Sequence, residues 1–462
     1  STPGDGAVLA WTSVGDVTSY TTMSDLNLQI YTAYYVSIRA QDVAGNYSSV
    51  VTANGVILDW EPAIARIYFD STTYNATEWD AVTAINGTAS DISGGSGLAT
   101  VEINIQRSTD NYYWTGTDWS ATLQWLGVSG TDTWNYSTIT AADLTDGATY
   151  TVNTRAFDVL GNVGPLDLSG ESDSFIYDVS EPNSVLSIAD DYYNASGWSS
   201  NQPIQGTATD EFSGVSKVEV LIKRATGAKF WSGSRWTADS TWLPASGTAT
   251  WQYSITSDSL TDTETYTIRS RATDGSSNLE TSYSSDSFTF DSTLPVSVVN
   301  IEREYYNDGN WNDVSSISGT SSDSTSGIST MEISLRRSND LAYWSGLVWT
   351  LSETWLSPNQ LTNWTYYFTD LDNTVSYTVQ SRATDNAGNV QTTYGSDSFI
   401  YDITLPLTGS VSDGLNSADQ QWTNDLTTLS AIWTGFSDAL SGLASYEYSI
   451  GTVAGGTQTI PW

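Results

Sequence analysis

The chain has 462 residues, with 53 Asp and Glu against 15 Lys and Arg, a formal net charge of −38, and neither Cys nor His. That composition excludes thiol nucleophiles, disulfides, imidazole bases and the commonest zinc and copper ligands, and it sets long-range repulsion against any nucleic-acid backbone. Oxygen is what remains for a metal, the ligand set of calcium or magnesium.

Charged residues are only 15% while aromatics reach 12%, which describes a folded chain and not an acidic disordered one. Asp outnumbers Glu 39 to 14, and Asp favours turns where Glu favours helices. With abundant Thr, Val, Tyr and Trp, this predicts many short strands and many loops. No apolar run reaches membrane-spanning length, so no membrane insertion is expected in this segment.

In chain order, the first distinctive stretch is YYVSIRAQDVAGN (34–46), an alternating strand that runs into Asp42 and, four residues on, Asn46. Its ending returns as TRAFDVLGN (154–162), SRATDGSSN (270–278) and SRATDNAGN (381–389). A Leu stands six residues before a Tyr at the start of each such strand: Leu28/Tyr34, Leu144/Tyr150, Leu260/Tyr266 and Leu371/Tyr377. That spacing is the sequence form of a tyrosine corner in a β-sandwich.

Next come four segments that join an Asp to a Pro: LDWEP, YDVSEP, FDSTLP and YDITLP, with Asp59, Asp178, Asp291 and Asp402 separated by 119, 113 and 111 residues. Three complete repeats therefore lie between them. Tryptophans recur inside them at identical spacing: Trp114, Trp119, Trp125, Trp134; Trp231, Trp236, Trp242, Trp251; Trp344, Trp349, Trp355, Trp364. The expected division is 1–59 as the C-terminal part of a fibronectin-III-like domain, then immunoglobulin-like domains at 60–178, 179–291 and 292–402, then 403–462 as the N-terminal part of a fibronectin-III-like domain. The fold class is all-β, with tandem immunoglobulin-like or fibronectin-III-like sandwiches arranged as an elongated rod. At roughly 3.3 Å per strand residue a domain is about 40 Å long, and the rod roughly 160–200 Å.

GTATD and SGV (206–215), FWSGSRW (230–236) and SRATD (270–274) resemble the bacterial immunoglobulin-like repeats of very large surface adhesins and filament proteins. WTGFSDALSGLASYEYSIGT (433–452) resembles the first half of a fibronectin-III-like module and residues 34–46 the second half of one. STPGDGAVLAW (1–11) aligns with TVAGGTQTIPW (452–462), so a window on a longer repeating polymer is expected. Head-to-tail completion between subunits is the weaker alternative, because the doubled segment would be redundant at such a join. The resemblance implies an extracellular, cell-surface location and neighbouring repeats of the same chain or fibre as partners.

Sandwich topology also predicts where acidic residues meet. The B–C and F–G loops lie at the end where the linker from the previous domain arrives. The B–C loop carries Asp91, Asp210, Asp323 and Asp438; the F–G loop carries Asp158/Asn162, Asp274/Asn278 and Asp385/Asn389; the linker carries Asp59, Asp178, Asp291 and Asp402, with Glu61 and Glu181. Unneutralised carboxylates at ~4 Å repel by ~1 kcal/mol in water and ~4 kcal/mol at an effective dielectric of ~20. A calcium ion taking oxygens from Asp, Asn and backbone would turn that repulsion into a clamp, and the resemblance implies inter-domain calcium that stiffens a rod. The competing reading is turn chemistry, with Asp and Asn as loop formers.

Equal spacing of the tryptophans favours core over a sugar-stacking platform. Glu102, Glu219 and Glu332 alternate onto the same face as Arg155, Arg271 and Arg382, which predicts cross-strand salt bridges and not a pair of catalytic carboxylates in a cleft. The expected function is a non-enzymatic stalk or filament segment. Its rivals are a module that binds cell-surface glycans or proteins through exposed Trp, and an accessory region of a secreted polysaccharide-degrading enzyme.

Overall fold

A computed structural model describes residues 9–20, 26, 28–163, 171–201, 204–415 and 419–455. Most of the doubled terminal segment, residues 1–8 and 456–462, lies outside the described residues.

The middle repeat shows how alternating sequence becomes a sandwich. Its elements are β1 (Asn183–Ser187), β2 (Tyr192–Tyr193), α1 (Ala195–Asn201), β3 (Gln205–Thr209), β4 (Val215–Arg224), β5 (Phe230–Trp231), β6 (Trp236–Thr237), β7 (Leu243–Pro244), β8 (Thr250–Gln252), β9 (Glu264–Asp274) and β10 (Ser284–Phe290). One sheet has the order β1-β3-β8 and the other β2-β10-β9-β4-β5-β6, with β7 also on β4. The period of two sends Tyr266, Ile268, Ser270 and Ala272 of β9 inward, all at 0% exposure, while Arg269 and Arg271 point out. Val218, Val220 and Ile222 of β4 join them, and Trp251 closes the core from the other sheet. The repeats on either side have equivalent cores, drawn from residues 63–177 and 299–401.

Each tyrosine corner is formed. The phenol oxygens of Tyr34, Tyr150, Tyr266 and Tyr377 accept hydrogen bonds from the backbone N–H of Gln29, Thr145, Thr261 and Asp372 at 2.6–2.7 Å. Tyr266→Phe removes that acceptor and is expected to cost about 0.5–1.5 kcal/mol. Calorimetry should show the middle repeat melting several degrees lower with its neighbours unchanged.

Three of the four ladder tryptophans in each repeat belong to the core. Trp114, Trp134, Trp231, Trp251 and Trp364 are buried, and the other members are half-buried. The outward pairs also form: Arg155, Arg271 and Arg382 donate to Glu102, Glu219 and Glu332 at 2.8–3.0 Å, directly across the two strands. The same guanidinium groups lie 4.0–4.3 Å over Trp125, Trp242 and Trp355. These half-buried glutamates are committed to structure.

One element of each repeat departs from the all-strand reading: a seven-residue helix, Ala76–Val82, Ala195–Asn201 and Asp308–Val314. Asn75, Asn194 and Asn307 cap them, each side-chain oxygen accepting a backbone N–H three residues on at 2.7–2.9 Å. Trp79, Trp198 and Trp311 then stack on Phe175, Phe288 and Phe399 with centroids 4.3–4.9 Å apart. Two turns are too short to show helical periodicity, so only the Asn with a Trp four residues later could have revealed them.

The described ends are sparser. Ala33–Tyr34 pairs with Val56–Ile57, Ser37–Ile38 with Val51–Thr52, and Ser410–Asp413 with Ala431–Thr434.

Candidate metal centre at the joints

Three joints start from a linker Asp whose backbone is fixed by the domain it leaves. The N–H groups of Asp178, Asp291 and Asp402 donate to the carbonyls of Tyr74, Tyr193 and Tyr306 at 2.8–3.0 Å. The next two linker residues are held by a side chain just after the corner Leu. Asp146 accepts from Val179 N–H (2.8 Å) and the Ser180 hydroxyl (2.7 Å). Asp262 does the same with Ser292 and Thr293. Asn373 accepts from Ile403 N–H and donates to Thr404 Oγ1. The sequence reading passed over these three residues. Their signal was a recurring Asp or Asn two places after Leu144, Leu260 and Leu371.

The F–G hairpin shows why Asp is followed four residues later by Asn. One carboxylate oxygen of Asp42, Asp158, Asp274 and Asp385 accepts the backbone N–H of Asn46, Asn162, Asn278 and Asn389, and the other accepts the Asn side-chain N–H, at 2.6–3.0 Å. That much is turn chemistry. The Asn Nδ2 also donates to the linker Asp carbonyl: Asn162 to Asp59 (3.3 Å), Asn278 to Asp178 (2.9 Å) and Asn389 to Asp291 (2.9 Å). The same residue pair is therefore a turn and a brace across the joint.

The B–C loop supplies the third side chain. One oxygen of Asp210 accepts three successive N–H groups, from Phe212, Ser213 and Gly214; Asp323 does so from Thr325, Ser326 and Gly327, and Asp438 from Leu440, Ser441 and Gly442. This holds the second oxygen of Asp210 and Asp323 toward the joint.

Among the described residues two carboxylate triads result, Asp178/Asp210/Asp274 and Asp291/Asp323/Asp385, each offering one oxygen per residue within 4.8 Å of the others. Asp178 and Asp291 are fully buried, and Asp274 and Asp385 are 1% exposed. The second oxygens of Asp210, Asp291 and Asp323 are buried with no hydrogen-bond partner. A buried carboxylate oxygen without a donor is costly. Burial, reinforced by Asp178 and Asp210 and opposed by the Asn278 hydrogen bonds, holds the Asp274 carboxyl above the ordinary range; Asp385 is raised likewise beside Asp291 and Asp323. A raised folded pKa favours folding at low pH, and the contribution is lost as pH rises through the folded pKa. These groups therefore strain the joint at neutral pH unless something neutralises them.

The first joint is built differently. Asp59 accepts from Ser96 N–H at 2.5 Å, while Asp91 spends its two oxygens on Ile92 and Gly97 N–H. Its B–C loop, DISGGSG, has two residues more than DEFSG or DSTSG, and the added turn puts the Gly97 donor where Asp91 would otherwise face the linker. Burial works against ionisation of Asp158, but the Asn162 hydrogen bonds outweigh it and lower its pKa, the opposite of Asp274. Glu61 is half-buried outside any triad, and Glu181 is taken by the N–H and hydroxyl of Thr281. At the last joint Asp402 keeps a buried unpartnered oxygen and Asp438 is placed, but the described residues include no F–G loop after them.

Neighbouring domains also touch directly. Thr73 Oγ1 and Asn75 Nδ2 donate to the carbonyls of Gly275 and Ser276 (3.0 and 2.6 Å), and Asn194 N–H donates to Ala387 (3.3 Å). Two of the helix caps thus meet the next domain's F–G loop.

No family model and no curated protein matches the chain. Solved structures similar to it include a 1.5-MDa bacterial ice-binding adhesin (15% identity, TM-score 0.31, covering 75% of this chain and 100% of that one). A tetra-tandem repeat from the extending region of a large adhesion protein is 16% identical (TM-score 0.27, 82% and 84% covered). A Ca2+-stabilized adhesin of an Antarctic bacterium that helps it reach out and bind ice is 15% identical (TM-score 0.27, 80% and 82% covered). The tandem sandwich fold itself is read from the sheets described above.

Proposed function

We propose that this chain is a non-enzymatic structural segment of a large extracellular, cell-surface protein of the bacterial immunoglobulin-like kind, whose sandwich repeats are stiffened by calcium at their joints. The observation that carries the reading is the pair of triads, each with two of its three carboxylates buried and each drawn from a linker, a B–C loop and an F–G loop far apart in sequence, with carboxylate oxygens left without donors. The donor set is all oxygen, which suits a hard cation. Asp178, Asp210 and Asp274 would hold one ion, and Asp291, Asp323 and Asp385 another. A bound ion supplies the positive charge that makes three converged carboxylates attractive. The protein's own contribution is to aim them, through the N–H groups of the B–C loop and the Asn of the F–G loop.

The glycan-platform alternative is disfavoured because the ladder tryptophans fill cores or lie under arginines. The test is thermal unfolding with small-angle scattering of the whole chain, at about 2 mM calcium, above the 10⁻⁴–10⁻³ M dissociation constants of extracellular calcium modules, and again with a chelator. Calcium is expected to raise the melting temperature and lengthen the particle, each site adding about 0.6–1.8 kcal/mol at roughly 2–20 times its dissociation constant. No change in either quantity would refute it.

A further inference from the structure

The corner where β4 turns into β5 recurs in all three complete repeats, and the middle copy lacks a part. The segments are RSTDNYYW (107–114), RATGAKFW (224–231) and RSNDLAYW (337–344). In the first and third, an acid three places on closes the arginine. Arg107 donates from Nε and Nη2 to the two oxygens of Asp110 at 3.2 and 2.6 Å, and Arg337 to those of Asp340 at 2.9 and 2.7 Å. Both guanidinium groups lie 4.5 Å over a tryptophan, Trp119 and Trp349. This is the planar, two-bond recognition of a carboxylate for which the arginine fork is shaped.

In the middle repeat Gly227 stands where the acid would be, and Arg224 Nε is buried with no hydrogen-bond partner. Its guanidinium still lies over a tryptophan, Trp236, at 5.6 Å. Lys229 takes the place of Tyr112 and Ala342 and sits opposite Arg224, whose backbone N–H donates to the Lys229 carbonyl at 2.9 Å, so both cations leave the strand pair on one side. Arg235 replaces Asp118 and Val348 in the same hairpin. Residues 224–236 therefore hold three cations and no acid, while residues 107–119 hold one cation and two acids, and residues 337–349 one of each. Among the described residues Arg224, Lys229 and Arg235 have no ion-pair partner. The buried carboxylate nearby, Glu264, accepts the Thr226 N–H at 2.6 Å instead. A buried guanidinium nitrogen without an acceptor is costly, and a like charge facing it across the strands adds to that cost.

We propose that this corner of the middle repeat binds a carboxylate carried by a separate molecule, with the Arg224 fork taking its two oxygens, Trp236 backing the guanidinium and Lys229 supplying a second charge. The ligand presents one isolated carboxylate. The chain as a whole stands at −38, which repels a polyanion, whereas a single small anion close to the hairpin cations is held and the distant charges are screened. An acidic sugar and an acidic amino-acid side chain offer the same group. No residue of the corner belongs to either triad, so its test stands apart from the calcium experiment.

NMR of the arginine Nε–Hε groups in the whole chain reads the site directly, with calcium present and no chelator, because chelators are themselves carboxylates. The Arg224 signal is identified by its loss in Arg224→Lys. Sodium acetate, sodium glucuronate and N-acetyl-aspartyl amide, each titrated at constant ionic strength against sodium chloride, are expected to shift it saturably. Dissociation constants on the order of 1–10 mM are within reach of ligands of a few heavy atoms. Arg107 and Arg337 should not respond, because Asp110 and Asp340 already fill their forks. Tighter binding of glucuronate than of acetate assigns the site to an acidic sugar, tighter binding of the aspartyl amide assigns it to an acidic peptide, and equal binding means that it reads the carboxylate alone. Grafting SNDLA (338–342) in place of ATGAK (225–229) returns the internal acid. The Arg224 signal should then move toward that of Arg337, and its response to all three probes should weaken by about tenfold or more. Lys229→Ala should weaken binding by roughly threefold or more. Calorimetry of the middle repeat checks that both variants fold. A shift that never saturates, equal responses at Arg107, Arg224 and Arg337, or a grafted chain that binds as before would overturn the proposal.

Discussion

Asp291→Asn is expected to change the sign of its effect with calcium. In chelator the variant should be more stable than the parent, and in calcium less stable. The Asp291 oxygen that accepts from Thr293 N–H is retained by Asn, while the buried unpartnered oxygen is replaced by an N–H donor facing Asp323 and Asp385. Removing one charge from a triad within 4.8 Å relieves ~1–4 kcal/mol per carboxylate pair between the aqueous and partly buried limits. With the ion present the same change deletes a charged ligand, and most of the ion's roughly 0.6–1.8 kcal/mol of stabilisation is lost. Calorimetry in the two buffers should show melting curves that cross over, with shifts of several degrees each way. Destabilisation of equal size in both buffers would mean that Asp291 serves only as a linker hydrogen-bond acceptor. Asp91→Asn should show no crossover, because both Asp91 oxygens are held by local N–H groups.

Gly319→Ala should be among the most damaging single-methyl changes in the third repeat. A Cβ at Gly319 would overlap both the Trp364 ring and the Val298 carbonyl, one a fully buried side chain and the other ladder backbone. Neither can yield cheaply, so a cost near the top of the overpacking range, about 3 kcal/mol, is expected. The third repeat should melt roughly 10 °C lower while its neighbours hold. Trp364→Ala, which empties the same contact, should cost about 3–5 kcal/mol. Gly309→Ala is the contrast: in the helix Asp308–Val314 its Cβ would meet only Asn307 Oδ1 at 3.5 Å, and better helix propensity should stabilise by about 0.5–1 kcal/mol. If both glycine substitutions behaved alike, the Gly–Trp packing account would fail. Gly87 and Gly206 lie under Trp134 and Trp251 in the same way.

What the amino-acid order determined by itself is whatever depends on local period and register. Alternation places Tyr266, Ile268 and Ala272 inside, the Leu-to-Tyr spacing specifies four corners, and equal offsets pair Glu219 with Arg271. The convergence of linker, B–C and F–G carboxylates was legible too, because sandwich topology leaves those loops only one end to share. Tertiary structure alone decided which carboxylates end up facing one another. Asp91 and Asp210 occupy equivalent positions, yet two extra loop residues bring Gly97 N–H to Asp91, while Asp210 keeps an oxygen free. It also decided that Asp146, Asp262 and Asn373 hold the linker and that short Asn-capped helices bury Trp79, Trp198 and Trp311. A side-chain oxygen turns to the nearest available donor, and donors within a few ångströms are set by the packed chain, not by their distance along it.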